Sequence, residues 1–377
     1  MPRPDDRPLH RLPTLAPRQD TLEKCVFCPK LCRSACPVSN AEPRETLTPW
    51  GKMSAAYFAA RGDVRLEESF ARPAWACTGC LACSASCDHR NEVAATLLDA
   101  RAAFVDAKLG PAAVNRAIAR FDAHREATRR GVRDLSAHEA VRADSRDALL
   151  VGCGYVRGAP TEARHAIDAA TALVRGPVAL VDACCGLPLL LAGDARGFVR
   201  QAEVLASQLT RAARVLVADA GCALTLRARY PQHGVKLDAK VELLVERAAE
   251  ELGSLGEVSA VAGPVRWHDP CQLGRGLGVY EAPRAVLTRA LGRAPEEFDE
   301  RREKGACSGG GGLLPVTMPE TARTIAETRL AAHSRAGGGR VVTACASSLL
   351  SLRKARGNVD DLVTWIARAA RPGRPRG

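Results

Sequence analysis

The sequence predicts an α plus α/β protein: one helical domain followed by two copies of an α/β domain. Three observations predict it. Two short cysteine runs near the start are separated and followed by segments with helical rather than alternating apolar spacing. From about residue 145, short apolar strands alternate with amphipathic helices, the pattern of a parallel sheet. That pattern then restarts near residue 262 with similar gaps between its cysteines, which marks an internal duplication. The expected domains are 21–140, 145–258 and 262–370, with 1–20 as a disordered tail.

In chain order, residues 1–20 carry prolines and charges where an apolar signal core would have to sit. They are expected to be unstructured, as is the proline- and arginine-rich end from about residue 371. The segment between the cysteine runs, GKMSAAYFAARGDVRLEESFA, reads as helix, and so do 91–108 and 112–130. In the first α/β copy the strands are ALLVGCGYV, PVALVDACCG and VLVADAGC, joined by helices over 161–174 and 194–213. In the second, VRWHDPC and RVVTAC are strands, and 280–291 and 318–333 are helices. Cysteines 153, 184, 185 and 222 of the first copy correspond to 271, 307 and 345 of the second.

The chain has 377 residues and 15 cysteines. No stretch is long and apolar enough to span a membrane, so a cytoplasmic protein is expected; attachment at the inner membrane face, which nothing in the sequence requires, would come through a partner. In that reducing setting clustered cysteines read as metal ligands rather than disulfides. The net charge of +12 comes mainly from scattered arginines, and aromatics make up only 4%. That combination reads as a basic, solvated surface and argues against a nucleic-acid-binding role.

The second run, Cys77, Cys80, Cys83 and Cys87, has the C-x2-C-x2-C-x3-C spacing with which bacterial ferredoxins hold cubane iron–sulfur clusters. The first, Cys25, Cys28, Cys32 and Cys36 followed by Pro37, is a one-residue variant. A cubane needs four converging thiolates. Three come from one tight loop, and in two-cluster ferredoxins the last cysteine of each run serves the other cluster. The expected sets are Cys25, Cys28, Cys32 with Cys87, and Cys77, Cys80, Cys83 with Cys36. Four thiolates within eleven residues do not suit the paired spacing of zinc sites. One-electron transfer through two [4Fe-4S] clusters is the implied activity.

In a parallel sheet the loops beyond the strands' carboxyl ends gather at one edge. Cys153, Cys184, Cys185 and Cys222 lie at such ends, so they are expected to converge on a further metal or cluster. Glycines beside them would let backbone pass close to it. His268 and Asp269 adjoin Cys271 at a strand end, as a proton relay or as a capped turn. Arg275 could meet a substrate carboxylate. The run GCGYVRG from Gly152 imitates a dinucleotide fingerprint, but its spacing is wrong and a cysteine occupies the turn. The SGGGG run at 308–312 lacks the Lys-Ser/Thr of a phosphate loop, and close packing against a cluster is the simpler reading.

Cys184-Cys185-Gly186, together with HDPCQLGRGLGVYEAPRAVL from His268, CSGGGG at Cys307 and TACASS at Cys345, resembles the heterodisulfide reductase and glycolate oxidase iron–sulfur subunit family. The resemblance covers nearly the whole chain: two [4Fe-4S] motifs, then two cysteine-rich CCG domains. It implies an oxidoreductase subunit passing electrons between an FAD-dependent dehydrogenase partner and an acceptor such as a quinone or another redox protein. The alternatives are a heterodisulfide reductase with catalytic candidates Cys184, Cys185, His268 and Arg275, or a structural metal-binding or redox-sensing protein. The family has five cysteines per CCG domain. Here the first copy keeps four, with Thr225 at the lost position. The second keeps Cys271, Cys307 and Cys345, with Ser308 and Ser348 in place of the others. One four-cysteine cluster is therefore expected in the first copy, and an incomplete one or none in the second.

Overall fold

The computed structural model describes residues 9–29, 32–258 and 261–370. The expected unstructured end from residue 371 lies outside the described residues, as do residues 1–8 of the expected N-terminal tail. The chain divides into two compact units. Among the described residues, one contains those of 9–121, 188–198 and 307–328; the other contains those of 122–187, 199–306 and 329–370.

The first unit is helical. Its helices Pro49–Arg61 and Val93–Asp106 pack with Gln19–Val26. Thr48 caps the first of these by accepting from Gly51 N at 3.0 Å, Pro49 occupies its first turn, and Gly62 closes it in the left-handed conformation. Residues 9–20 correct the expected disordered tail. Leu9, Leu12 and Leu15 are buried against Met53, Tyr57 and Trp75, and Pro13–Arg18 is a 3-10 helix. Leu15 lies in that helix, Leu12 is its N-cap and Leu9 precedes it, yet all three are buried. Burying each contributes about 2 kcal/mol, which outweighs the unfavourable composition around them.

The second unit holds both sheets, and every strand pair is parallel. β1 (Asp147–Leu150), β2 (Ala179–Leu180), β3 (Arg214–Val217) and β4 (Lys240–Leu243) lie in the order β2-β1-β3-β4. β5 (Val265–Trp267), β6 (Arg340–Thr343) and β7 (Val359–Asp361) lie in the order β5-β6-β7. β1 and β3 end earlier than their apolar runs, because Cys153 opens the helix Cys153–Gly158 and Ala220 opens Ala220–Leu224. β4 and β7 escaped the sequence reading. They are only three or four residues long and carry charged residues, KVEL and VDD.

The two sheets meet through buried polar groups. Asp219 accepts from Gly221 N and Cys222 N at the start of its own helix, and from Ala346 N at the start of Ala346–Lys354. One carboxylate thus caps two helices, one from each copy. Tyr155 donates to Asp361 Oδ2 at 2.6 Å, again between copies. Gly152 has φ +95, and a Cβ there would press on Asp219 and on Cys222 Sγ, so glycine is required at this crossing.

Candidate iron–sulfur and thiolate sites

The helical unit brings both cysteine runs round two cavities. Cys36, Cys77, Cys80 and Cys83 line one of about 330 Å³, with Lys52, Thr78 and Val93 in its wall. Cys25, Cys28, Cys32 and Cys87 line one of about 370 Å³, with Trp50, His89 and Asn91. Cys83 and Val93 lie on both. The first cavity thus draws three cysteines from the second run and Cys36 from the first, while the other draws three from the first run and Cys87 from the second, besides the shared Cys83.

The surroundings suit anionic sulfur. Lys52 is 2% exposed, and its Nζ stands 3.3 Å from Cys36 Sγ. An ammonium taken out of water needs a negative neighbour, and a thiolate at Cys36 would provide one. Asn91 Nδ2 donates to Cys25 Sγ at 2.9 Å and to Thr21 O. Burial pushes the Cys25 thiol up to about 12 despite that bond, and it raises Cys32, Cys77 and Cys83 as well. These thiols give up their protons to a metal rather than to neutral water.

Arg101 holds the second cysteine loop from below. Its guanidinium donates to the carbonyls of Ala74, Cys77, Leu191 and Gly312. Full burial lowers it to about 10. Gly311 and Gly312 press against that loop's backbone, where a Cβ on Gly312 would meet Cys77 O. The glycine run thus packs against the backbone of the cysteine loop, where the sequence reading placed it against a cluster, and Arg101 was not singled out. A lone arginine in an apolar helix gives no sign of which carbonyls it will meet.

In the second unit the loops after β1, β2 and β3 bring Cys153, Cys184, Cys185 and Cys222 together. Cys184 Sγ lies 3.8 Å from Cys153 Sγ. Contact with the Cys184 thiol, and with His124, holds Cys153 down at about 6. Cys185 is lowered by Cys184 and Cys222, which rise in turn. Thr225 donates its hydroxyl to Gly221 O at 2.7 Å and also contacts Cys185. The lost cysteine is thus replaced by a group that braces the loop. His124 was missed by the sequence reading. It comes from helix Phe121–Leu135, before the first α/β copy, and a histidine on a strongly charged helix carries no signal of its own.

The remaining candidates have structural partners. Asp269 accepts from both Nη atoms of Arg284 at 2.8 Å, from Trp267 Nε1 and from Arg302 N. Arg275 donates to the carbonyls of Glu303 and Gly305, holding the loop ahead of Cys307. His268 is 1% exposed and accepts at Nδ1 from Arg329 Nε at 3.2 Å. Cys271 and Cys345 lie in the second unit and Cys307 in the first. Cys307 Sγ accepts from Gly309 N, and burial pushes Cys345 up to about 12.

Burial, followed by the Arg329 charge, holds His268 down at about 3. An unfolded histidine takes its proton near 6.5. Its contribution to stability is therefore complete above that pH and is lost as pH falls from 6.5 towards 3. Between pH 7.5 and 5 the wild type should lose about 2 kcal/mol of folding stability through this residue. His268→Gln should lack that loss in paired urea titrations; equal slopes for both proteins would refute the assignment.

Comparison with known families now decides the composition of the chain. Residues 21–91 match the 4Fe-4S dicluster domain, and residues 148–227 and 265–353 each match the cysteine-rich domain CCG. The chain carries a 4Fe-4S dicluster domain followed by two CCG cysteine-rich domains. The repeated match accords with the duplication seen in the sequence.

Among curated relatives, it is 31% identical over 166 residues to one subunit of the fumarate reductase (CoM/CoB) of Methanothermobacter marburgensis, covering 43% of this chain and 32% of that one. It is 29% identical over 201 residues to one subunit of the dihydromethanophenazine:CoB–CoM heterodisulfide reductase of Methanosarcina acetivorans, covering 49% of each. A shorter match, 37% over 89 residues, is to EtfAB:quinone oxidoreductase of Syntrophomonas wolfei, covering 23% of this chain and 12% of that one. The matches thus span about half or less of these relatives' own length. Among the described residues no helix is long and apolar enough to cross a membrane.

Proposed function

We propose that this chain is the iron–sulfur subunit of an oxidoreductase, passing single electrons through two [4Fe-4S] clusters between a flavoprotein dehydrogenase and an acceptor. Cys36, Cys77, Cys80 and Cys83 would hold one cluster, and Cys25, Cys28, Cys32 and Cys87 the other. The observation that carries the reading is the pair of cysteine-lined cavities with Cys83 and Val93 in both walls. Neighbouring clusters exchange electrons without large motion, and the clusters supply the one-electron chemistry. The chain's part is to hold the thiolates, exclude water with Trp50, Val93 and Leu97, and set the local charge with Lys52 and Asn91. The relatives are named as subunits of a fumarate reductase and a heterodisulfide reductase and as a quinone oxidoreductase, which supports a subunit working with redox partners. Attachment to the inner membrane face would come through such a partner.

The test is affinity isolation of the tagged full chain under anaerobic conditions. The expected result is co-isolation of an FAD-containing dehydrogenase whose substrate reduces both clusters. Isolation of the chain alone, with clusters that no dehydrogenase reduces, would contradict it.

A second reading, a thiol/disulfide reductase working at the CCG thiols, is favoured by the match to the Methanosarcina heterodisulfide reductase. The replacements at Thr225, Ser308 and Ser348 weigh against it, since serine and threonine hydroxyls are poor ligands for soft iron. It predicts cleavage of small disulfides by the reduced protein, and the electron-transfer reading predicts none.

A further inference from the structure

Arg101, on helix Val93–Asp106, is 1% exposed, and its guanidinium meets main-chain oxygens rather than a carboxylate. It donates to the carbonyls of Ala74, Cys77 and Leu191 at 2.9 Å and of Gly312 at 3.1 Å. Those oxygens belong to three stretches of the helical unit that lie far apart in the chain. Ala74 and Cys77 lead into the second cysteine loop. Leu191 lies in 188–198, which follows the Cys184-Cys185 pair, and Gly312 lies in 307–328, which opens with Cys307. Both later stretches sit close against the residues they meet. Gly193 has φ +94, and a Cβ there would strike the Arg101 carbonyl; a Cβ on Gly312 would strike Cys77 O and Thr78. Thr317 adds a bond from its hydroxyl to Trp75 O at 3.4 Å.

A cation taken fully out of water needs a compensating anion. Among the described residues the attraction acting on Arg101 comes from Cys77. As a thiolate on a cluster, Cys77 would be that anion, on the same loop whose backbone oxygen Arg101 holds. We propose that Arg101 is a latch: with a cluster at Cys77, Cys80 and Cys83 it keeps 188–198 and 307–328 docked in the helical unit, and without that cluster both stretches loosen. This rests on the cluster placement of the proposed function. Loading and folding are linked in this way because a buried charge keeps its place only while its partner is present. At the other cavity the corresponding donor, Asn91, reaches Cys25 Sγ and Thr21 O, both in the N-terminal part of the chain. The latch thus acts as a check on loading. A chain lacking the cluster beside Arg101 would open two stretches to proteolysis, and one lacking the other cluster would not.

The test is amide hydrogen exchange, read by mass spectrometry on the anaerobically isolated full chain, with iron counted in each sample. Cys80→Ser removes the cluster beside Arg101 and Cys28→Ser removes the other, whichever run supplies the fourth ligands. Exchange in 188–198 and 307–328 should be at least about tenfold faster in Cys80→Ser than in the wild type, and unchanged in Cys28→Ser. Arg101→Met, loaded with both clusters, should also free these stretches. Adding Cys80→Ser to it should quicken them little further, because one linkage is lost only once. Arg101→Lys keeps the charge but reaches fewer carbonyls, and should fall between the two. Should Arg101→Met fail to load, the two cysteine variants decide alone. Wild-type protection of both stretches in Cys80→Ser or in loaded Arg101→Met would overturn the inference. So would equal loosening in Cys80→Ser and Cys28→Ser, the mark of general unfolding. Either result, with iron intact in the wild type, leaves the electron-transfer reading standing; a wild type without iron would end both.

Discussion

Cys36→Ser and Cys77→Ser should extinguish the same cluster, although the two residues sit in different runs. Each variant should fall from about eight irons per chain to about four, with one paramagnetic signal of the reduced protein lost and the other kept. Cys87→Ser and Cys25→Ser should together remove the other signal. The physical reason is the arrangement of the cavities: Cys36 lines the one with Cys77, Cys80 and Cys83, while Cys87 lines the one with Cys25, Cys28 and Cys32. Serine keeps the volume of cysteine but is a poor ligand for soft iron. Pairing by run instead, with Cys36→Ser and Cys25→Ser removing the same signal, would refute the crossed arrangement. Both variants belong in one anaerobic preparation series, so that iron content and spectra are compared at equal loading.

The two clusters should also differ in potential, with Lys52 the main cause. Its ammonium is buried at 3.3 Å from Cys36 Sγ. On the other side, Asn91 offers Cys25 a neutral amide donor. A buried positive charge favours the reduced, more negative cluster. At an effective dielectric constant of about 20 and a separation of about 6 Å from the cluster's centre, the interaction is worth about 2–3 kcal/mol. For one electron that is on the order of 100 mV. Lys52→Gln should therefore lower the potential of the Cys36 cluster by roughly this amount and move the other much less, while Lys52→Arg should retain most of the wild-type value. An equal shift of both clusters would point to loosened structure rather than to charge. No shift at all would remove Lys52 from the account.

The parts of this architecture that were legible in the sequence are those set by local chemistry. The cysteine spacings named the residues that line the two cavities, because a cubane's ligands must come mostly from one short loop. The strands before Cys153, Cys222 and Cys345 were legible because buried parallel strands are mostly apolar. What failed was set by partners distant in sequence. β4 and β7 are short and polar, and only their neighbours in the sheet define them. Leu9, Leu12 and Leu15 were hidden by the prolines and charges between them, and only Leu15 lies in a helix. Arg101, Lys52 and His124 are single polar residues on helices, and what each does depends on atoms brought up by other elements. At the candidate site near His268 the sequence left open a relay or a capped turn. The bidentate Arg284 pair on Asp269 and the loop carbonyls on Arg275 give these residues packing partners.

The central claim is that two neighbouring cubanes share one small helical unit, and one measurement tests it most directly. The full chain, isolated without oxygen, is reduced completely and its paramagnetic spectrum recorded alongside iron and inorganic sulfide content. The account predicts about eight of each per chain, and two cluster signals broadened by magnetic interaction across the wall that Cys83 and Val93 share. A colourless protein, or a single cluster with an unperturbed signal, would contradict it.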